Sequence, residues 1–459
     1  MMRTIALVLV AAGLACGTAR GQTLTVEAAP ATSPALRYEL LRVPARGHEG
    51  NAAVEYMRAA FSLSMTDEEE TALMDRLAAP LENLRTPEAR EAIDRAITAP
   101  LENLRRAERA RHCDWQVIVS DGIAVTIPEL GQVRLLARVL GVKARERIAA
   151  GDFDGAVDMI ALLVRMGTDV GEGTTLIQAL VGMAVVQVAI ERMQELIQQP
   201  GAPNLYWALV DLGPAPVDMR RAMRFERHFV DLEMPELGRI IDGRVKPHEA
   251  EGVVRELERR LRTLVSDPQS GAAESGWNLA ASTIASYPKA KAQLKAQGLT
   301  DAEIDAYPVS YVSMRYTLVR YMEMRDDLFK WYGLPTHEAM AGMAASEAGF
   351  SQAMARREGF PFSLLLPALG RALETGAMQQ RHLAGLRVVE AIRMHAHATG
   401  SLPARLDSVR VVPVPINPMT GEAFDYRVEG NEAVITGPGL TGSRRPPLEL
   451  RIRLVNKPR

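Results

Sequence analysis

The sequence predicts a mainly α-helical protein: a multi-helix body of antiparallel helix pairs with a small C-terminal antiparallel β unit. Of the 459 residues, 47% are hydrophobic but only 5% are aromatic, and 21 are methionine. Such a composition, rich in Ala, Leu, Arg and Glu, favours helices over sheets. Apolar residues recur at helical spacing from about residue 50 to 400, whereas the last 60 residues include runs that alternate apolar and charged side chains, as half-exposed strands do.

The composition also excludes several classes of protein. A chain with this apolar content is not intrinsically disordered. The 54 basic and 56 acidic residues give a net charge of −2, which offers no electrostatic reason to expect a nucleic-acid partner. Two cysteines cannot build a disulfide-rich scaffold. The length allows a large core and suggests two to three domains.

The N-terminus has the pattern of a secretory signal peptide. Arg3 precedes an apolar stretch from Ile5 to Ala15, which is shorter than the roughly 20 residues of a membrane-spanning helix. Ala19–Gly21 fits a signal-peptidase site, so we expect cleavage between Gly21 and Gln22. Removal of residues 1–21, with two arginines and no acid, leaves 52 basic against 56 acidic residues, a net charge of −4.

The alternative is a lipoprotein that is anchored to the membrane through Cys16. A lipobox normally has Leu three residues before its cysteine, and here that residue is Gly13. If Cys16 leaves with the signal peptide, Cys113 is the only thiol and cannot form an internal disulfide. We therefore expect an exported protein with no membrane span in the mature chain, periplasmic or secreted if the signal peptide is cleaved after Gly21, or anchored as a lipoprotein at Cys16 in the alternative.

Four segments follow one another along the chain. A Pro-rich linker and an arm follow the signal peptide, and a long helical region then leads to a helix with short strands. The predicted boundaries are 1–21 for the signal peptide, 22–50 for the linker and extended arm, 51–374 for the helical body, and 375–459 for a long helix with a small β cap.

Within the body, residues 131–150 and 153–168 form the clearest helix pair. Gly151–Gly155 between them resembles a calcium loop but lacks the spaced acids and closing Glu of an EF-hand, so we expect Asp152 or Asp154 to cap the second helix. A long apolar helix at 174–199 is predicted to be buried. Further helices are predicted at 51–63, 218–234, 247–266, 300–332, 335–357 and 375–399.

Two local patterns have structural interpretations. The heptapeptide Ala79–Arg85 recurs as Ala99–Arg105, and we interpret it as two copies of one turn between short helices. Ser286–Lys289 matches the S-x-x-K of penicillin-binding enzymes, but the companion motifs are absent. Because Pro288 suits the start of a helix, Ser286 is predicted to be an N-cap.

The sequence contains no phosphate-binding or dinucleotide-binding glycine motif. Its three His-Glu pairs lack the second histidine, four positions later, that a zinc-protease helix needs. His395 and His397 are two residues apart, which places them on different sides of a helix. We therefore expect no metal site and no cofactor.

Two clusters nevertheless concentrate polar and aromatic side chains. Arg111–Trp115 places an imidazole, a thiol, a carboxylate and an indole within five residues, and a second cluster lies at Tyr206 and Trp207. A ligand site there would use an arginine for an anionic group. The competing interpretation is a Trp packed on the body, Asp114 capping a turn, and aromatic residues anchoring helices. The candidate ligand-binding residues are His112, Asp114, Trp115, Tyr206, Trp207 and Arg224.

Five segments carry a likeness to a known family. They are Asn51–Arg58, Cys113–Trp115, Leu130–Gly151, Leu180–Ala184 and Gly201–Leu209. These segments look like an uncharacterised family of exported planctomycete proteins, and the likeness covers about residues 36–260. That family has no assigned activity, so the resemblance implies an exported helical protein and no site residue.

The C-terminal part carries a second likeness. A long helix is followed by Gly400–Leu406, Pro415–Gly421 and Phe424–Tyr426. This order is similar to the C-terminal half of type II secretion pseudopilins, where a helix leads to a G-x-L-P-x-x-L turn, a P-x-[DN]-P-x-[ST]-G loop and a short antiparallel sheet. The mature N-terminus lacks a prepilin peptidase motif, and Gly439–Ser443 lacks calcium-holding acids. The resemblance therefore implies a structural cap rather than pilus assembly.

Two functions follow as hypotheses. The first is a non-catalytic, exported envelope protein whose helical body binds or scaffolds an unknown envelope protein. The second is an envelope hydrolase or small-ligand-binding protein with a site near Trp115 and Trp207. Convergence of the candidate side chains on one pocket would favour the second. No motif in the sequence indicates a reaction, and the first hypothesis is preferred.

Overall fold

The computed structural model describes residues 22–42, 47–63, 65–117, 129–265, 279–366, 369–438 and 447–455. It is 66% helical, with fifteen α-helices in the described chain and a small C-terminal sheet. The predicted fold class is confirmed. The predicted signal peptide, with Cys16 and Gly21, lies outside the described residues, whereas Gln22 belongs to the first strand.

The described residues form two compact units. The larger unit contains residues 22–117, 129–222 and 375–455, and the smaller unit contains Met223–Glu374. The predicted helical body of residues 51–374 is therefore divided between two units, and the helix that follows it belongs mainly to the larger one.

The larger unit consists of helices followed by the C-terminal sheet. Its N-terminal half contains β1 Gln22–Glu27, β2 His48–Asn51, α1 Ala52–Phe61, α2 Asp67–Ala78, α3 Pro87–Glu108 and β3 Ala110–His112. The central helices are α4 Glu129–Ala150, α5 Phe153–Gly171, α6 Leu176–Ile197 and α7 Tyr206–Leu212. The C-terminal part contains α15 Leu369–Thr399 and the strands β4 Asp425–Glu429, β5 Glu432–Gly437 and β6 Leu448–Val455.

The smaller unit is helical throughout its described residues. Its helices are α8 Arg220–Glu233, α9 Glu236–Ile241, α10 Pro247–Val265, α11 Leu279–Ala296, α12 Asp301–Asp305, α13 Val309–Phe329 and α14 Thr336–Ala355. The first residues of α8 belong to the larger unit. Helix α13 packs against α9, α10, α11 and α14 and is the centre of this unit.

Helices α5 and α6 form the core of the larger unit. Asp152 caps α5, as predicted, by accepting a hydrogen bond from the Gly155 N–H at 3.0 Å. Gly167 on α5 faces Gly182 on α6, where an added Cβ would lie within 3.0 Å of backbone atoms. Helix α6 is long and apolar enough to cross a membrane by length and composition, and 72% of its apolar window is buried here. This burial favours the predicted buried helix.

The C-terminal sheet has the strand order β1-β6-β5-β4. Strands β4, β5 and β6 are antiparallel, but β1 joins β6 in parallel, with Leu24 opposite Ile452. A segment predicted to be a linker therefore supplies a core strand. Leu24 and Val26 are buried between exposed threonines, and so short an alternation beside a Pro-rich stretch does not distinguish a strand from a linker.

A buried ion pair ties this strand to α15. Arg393 and Glu390 are both fully buried, and the Arg393 Nη1 donates to the two Glu390 carboxylate oxygens at 2.9 and 3.0 Å. The same guanidinium donates to the backbone carbonyls of Glu27 at 2.9 Å and Ala202 at 2.8 Å. One side chain thus joins α15, the end of β1 and the turn after α6.

The repeated heptapeptide adopts two structures. Ala79–Arg85 contains a 3₁₀ turn between α2 and α3, as predicted, but Ala99–Arg105 lies inside α3 with Pro100 in the helix. The prediction is wrong for the second copy. Leu84 and Leu104 are buried in both cases, so the difference comes from the flanks: a capped helix start follows the first copy, whereas helix surrounds the second.

Ser286 lies inside α11, so the predicted N-cap is wrong. Pro288 also lies inside this helix. The helix tolerates it because Pro288 lies on an exposed face, one turn after Ile284, which is 71% exposed. Water can therefore reach the carbonyl that loses its helical N–H partner.

Replacing Pro288 with alanine is expected to raise the free energy of unfolding of the smaller unit by about 1–3 kcal/mol, because it restores a helical hydrogen bond and removes a ring clash. Urea denaturation followed by circular dichroism measures this. Lys289→Ala, its exposed neighbour, is the control and should change stability by less than about 0.5 kcal/mol. A destabilised Pro288→Ala variant would contradict a continuous helix here.

Candidate functional site

The first predicted cluster follows β3, which pairs in parallel with β2. Asn51 ends β2 and caps α1, where its Oδ1 accepts the Ala53 N–H at 3.1 Å. The same side chain binds the backbone of Asp114 twice, accepting its N–H at 2.8 Å and donating to its carbonyl at 2.6 Å. One asparagine thus starts the helix and fixes the chain beside Trp115.

Trp115 packs on the helical body. Its ring stacks on Tyr56 of α1, with centroids 6.0 Å apart, and its Nε1 donates to the Asp169 carbonyl of α5 at 3.1 Å. The Tyr56 hydroxyl donates to the Asp169 Oδ2 at 2.6 Å, and the Arg165 Nε donates to the same atom at 2.8 Å. Arg165 also binds the Ala110 carbonyl of β3 at 3.1 Å. We call Tyr56, Trp115, Arg165 and Asp169 the Trp115 cluster.

Burial sets the electrostatics of the Trp115 cluster. Asp169 is buried, and this desolvation raises the pKa of its carboxyl, while Arg165 opposes the rise. Burial likewise raises the pKa of the Tyr56 hydroxyl well above its usual value, and the Asp169 charge adds to it. Glu172, the residue directly after α5, has a raised pKa through burial and repulsion by Asp169. These groups hold elements together, and the Tyr56 hydroxyl and the Arg165 side chain are committed to bonds within the protein.

Cys113 lies next to this cluster with a partly buried side chain. Burial raises the pKa of its thiol far above the usual value, and the charge of Asp169 acts in the same direction. The nucleophilic form of a cysteine is the thiolate, so this thiol is poorly suited to a Cys–His catalytic pair.

We expect Cys113 to react with Ellman's reagent at pH 8 at least about tenfold more slowly in the folded chain than in guanidinium chloride, because folding suppresses its thiolate. Stopped-flow absorbance measures both rates. Free cysteine in the same two buffers provides the control for denaturant effects. Equal rates for Cys113 in both states would contradict the buried environment.

His112 and Asp114 are exposed. The Asp114 Oδ1 accepts the Gln116 N–H at 2.9 Å, and Gln116 has a positive φ of 48°. This is the turn-capping role that the sequence indicated for Asp114 as the structural interpretation.

The second predicted cluster packs elsewhere in the larger unit. Tyr206 is buried with Met394, Val409 and Val412, and Trp207 packs on this group with its ring edge-on to Tyr206 at 5.1 Å. The Tyr206 hydroxyl donates to a backbone carbonyl in the segment after α15. The two aromatic rings anchor that segment on α7 and α15, as the structural interpretation predicted.

The contacts of five of the six candidate residues fall into two groups within the larger unit. His112, Asp114 and Trp115 belong to the chain beside α1 and α5, whereas Tyr206 and Trp207 contact α15 and the segment after it. Arg224 is exposed on α8, in the smaller unit. The contacts of Trp115 and Trp207 involve different residues, so the geometry gives no support to a shared pocket.

Sequence reasoning missed the residues that organise the first cluster. Arg165 and Asp169 are four residues apart on α5, a spacing that allows an ion pair on one helix face, and Asn51 stands directly before an apolar helical pattern. These signals are common in helical proteins. Only the three-dimensional structure shows that these residues lie beside Asp114 and Trp115.

The histidines of α15 and the acidic loop before α5 are the sequence features that most resemble metal sites. Helix α15 continues to Thr399, so His395 and His397 are both helical, and His397 is exposed while His395 is half-buried. Among the described residues, no group of three His, Cys, Asp or Glu side chains is placed to hold a metal ion. Asp154, in the calcium-like loop, instead accepts hydrogen bonds from Arg37 and Tyr38 at 2.6 Å each.

Two open clefts lie on the smaller unit. The first has a volume of about 460 Å³ and is lined by Arg227, Glu323, Asp326, Asp327, Phe329 and Lys330. The second has a volume of about 350 Å³ and is lined chiefly by Asp231, Met234, Gly238, Ile241, Asp242 and Met322. None of the six predicted site residues lines either cleft.

Comparisons of the chain with protein-family models, with characterised proteins and with solved structures find no match in any of the three.

Proposed function

We propose that this chain is an exported, non-catalytic binding protein that holds a partner protein of the cell envelope on its helical surface. The main support for this proposal is that the side chains of the Trp115 cluster have a structural role. The Tyr56 and Asp169 side chains are buried, the Arg165 side chain is mostly buried, and their mutual bonds and the Arg165 bond to Ala110 join β3 to α1 and α5. Open surface is found instead in the two clefts of the smaller unit.

An envelope hydrolase or small-ligand site near Trp115 and Trp207 receives less support. A nucleophile needs a base within hydrogen-bond reach and a raised fraction of its reactive form. The Cys113 thiol has a strongly raised pKa, and the aromatic rings of the two clusters pack on different helices.

A binding assay with the mature chain, residues 22–459, tests the proposal. The immobilised chain is incubated with detergent-solubilised envelope extract, and retained proteins are quantified by mass spectrometry. We expect the same protein to be retained in replicates and to be displaced by free mature chain. Heat-denatured chain on the same matrix is the control. Retention equal to that control would contradict the proposal.

Export is part of the proposal and rests on the sequence of residues 1–21. Cleavage after Gly21 leaves β1 whole, since that strand uses Gln22–Glu27. Mass spectrometry of the purified protein is expected to find Gln22 at the N-terminus. A diacylglyceryl-modified Cys16 would instead identify the lipoprotein, and an intact Met1 would contradict export by either route.

The C-terminal part is proposed to be a structural cap of the pseudopilin type, and the likeness to exported planctomycete proteins stays a proposal too. Two features support the cap. Gly400 has a positive φ of 79° where α15 ends, and the Asn417 Oδ1 accepts the Met419 N–H at 3.0 Å and thereby shapes the Pro415–Gly421 loop. Since β1 completes the sheet, the cap is an integral part of the larger unit.

A further inference from the structure

Helix α4 carries five basic residues, which divide into two groups along its length. Those in its C-terminal half are all bonded to carboxylates: Lys143 to Asp94 and Glu146 at 2.6 and 2.7 Å, Arg145 to Glu195 at 3.0 Å, and Arg147 to Asp152 at 2.8 Å. The guanidinium groups of the other two, Arg134 and Arg138, have no hydrogen bond or ion pair with the described residues. The N-terminal half of α4 therefore carries two charges that the described part of the chain does not neutralise.

Arg134 and Arg138 are one helical turn apart and lie on the side of α4 that faces α6. The same side continues at Gly141, three residues after Arg138, where an added Cβ would lie 2.9 Å from the Val188 side chain of α6. Both arginines are half-buried. They therefore border the groove between the N-terminal halves of α4 and α6.

The wall of this groove that α6 provides is uncharged. The two helices run in the same direction, because Gly141 meets Val188 and, one turn later on α4, Arg145 meets Glu195. The first charged residue of α6 is Glu191, which comes after Val188, and all residues of α6 before it are uncharged. Since both arginines precede Gly141, they lie beside this uncharged part of α6.

The arrangement of the two arginines costs stability. Like charges one turn apart on a helix repel each other. Burial lowers the pKa of the Arg134 guanidinium, and the charge of Arg138 lowers it further, so the surroundings disfavour the charged form. Charged groups that are withdrawn from water are normally paired. An anion between the two guanidinium groups would remove both the repulsion and the lack of a partner.

We propose that Arg134 and Arg138 bind a phosphate-type oxyanion in the groove between α4 and α6. Guanidinium groups donate forked pairs of hydrogen bonds that match the spacing of phosphate oxygens. Two cations also match the charge of one phosphate group, about −1.5 to −2 at pH 7, whereas a carboxylate would neutralise only one of them. The phosphate group belongs to a small solute or to the headgroup of an anionic lipid. This inference needs no partner protein and stands apart from the proposed function.

Isothermal titration calorimetry of the mature chain, residues 22–459, with inorganic phosphate at pH 7.5 and constant ionic strength tests the site. We expect a single site with a Kd of about 1 mM or tighter. Arg134→Gln and Arg138→Gln are each expected to weaken binding about tenfold or more, because each removes a charged hydrogen-bond donor. Arg255→Gln is the control. Arg255, on α10, also has no partner among the described residues, but it is exposed, so its loss should leave the affinity unchanged.

Thermal melting distinguishes a binding role from a structural one. In buffer without phosphate, Arg138→Gln is expected to raise the unfolding midpoint by about 1–2 °C, because it relieves the repulsion. Saturating phosphate is expected to reverse the order, since it stabilises the wild type and not the variant. A midpoint that Arg138→Gln lowers equally with and without phosphate would assign the arginine to packing and overturn the proposal.

Vesicles identify the source of the oxyanion. Sedimentation with phosphatidylcholine vesicles, with and without phosphatidylglycerol, measures binding to an anionic headgroup. Retention on phosphatidylglycerol that either arginine variant abolishes supports the site and identifies a lipid ligand, whereas phosphate binding without such retention supports it and identifies a small solute. Phosphate binding that persists undiminished in both variants overturns the site, and so does the absence of both phosphate binding and arginine-dependent retention. If one variant melts early, the other decides.

Discussion

Replacing Arg393 with methionine is expected to lower the free energy of unfolding of the larger unit by about 3–5 kcal/mol, because the change leaves the fully buried Glu390 without its cation. The carbonyls of Glu27 and Ala202 lose a donor at the same time. Methionine fills a similar volume, so a cavity contributes little. Urea denaturation at pH 7, followed by circular dichroism, measures the difference.

Controls separate charge burial from the loss of an arginine. Arg405 is 78% exposed and pairs with Asp407 on the surface, so Arg405→Met should change stability by less than about 1 kcal/mol. The double variant Glu390→Gln/Arg393→Met is expected to recover part of the loss, because the buried residue is then neutral. A loss under about 1 kcal/mol for Arg393→Met would show that the pair is not what ties α15 to β1.

The Arg393→Met loss is also expected to depend on pH. Burial raises the pKa of the Glu390 carboxyl, and Arg393 opposes that rise. Without Arg393 the folded-state pKa moves further up, so the folded chain holds a proton that the unfolded chain releases near pH 4.3. Stability relative to the wild type is then highest at low pH and falls as pH rises through the raised pKa. Parallel urea titrations from pH 5 to 8 are expected to show a growing deficit.

Replacing Gly182 with valine is expected to destabilise the larger unit by more than about 3 kcal/mol, at the upper end of overpacking effects. Any Cβ at Gly182 would lie within 3.0 Å of the Gly167 carbonyl oxygen and of the Gly171 backbone. Backbone atoms cannot rotate away as side chains can, so α5 and α6 must separate along a surface where both are almost wholly buried. The thermal unfolding midpoint and the yield of soluble chain measure this effect.

A second glycine distinguishes packing from helix propensity. Gly131 lies in α4 with no heavy atom within 4 Å of an added Cβ, so Gly131→Ala is expected to be neutral or stabilising by up to about 1 kcal/mol. Gly182→Ala gains the same propensity but should still destabilise. If Gly182→Ala matched Gly131→Ala, the close crossing of α5 and α6 would be disproved.

The helices were predictable because their signals are local. Asp152 caps α5, and the apolar periodicity locates α5 and α6. Prediction failed where the same local signal fits two structures. Pro100 and Pro288 lie inside helices although proline usually breaks them, and two identical heptapeptides differ because their surroundings differ.

The candidate site was likewise only partly predictable from the sequence. The sequence placed polar and aromatic residues together at Arg111–Trp115, and the structure uses them to pack β3 on the helical body. The side chains that give this region its electrostatics, Tyr56, Arg165 and Asp169, come from α1 and α5, far away in the chain. Their convergence depends on helix packing, which short-range patterns do not encode.

The sequence by itself determined the mainly helical class, most helix positions, and the antiparallel pattern of the last strands, because each follows from spacing within about 20 residues. Only the tertiary structure decided that β1 completes the C-terminal sheet beside β6, that the chain divides at Met223 and Glu374, and that Arg393 holds Glu27 and Ala202. The physical reason is sequence separation. These contacts join residues up to several hundred positions apart, and their stability comes from the burial and pairing that the completed fold provides.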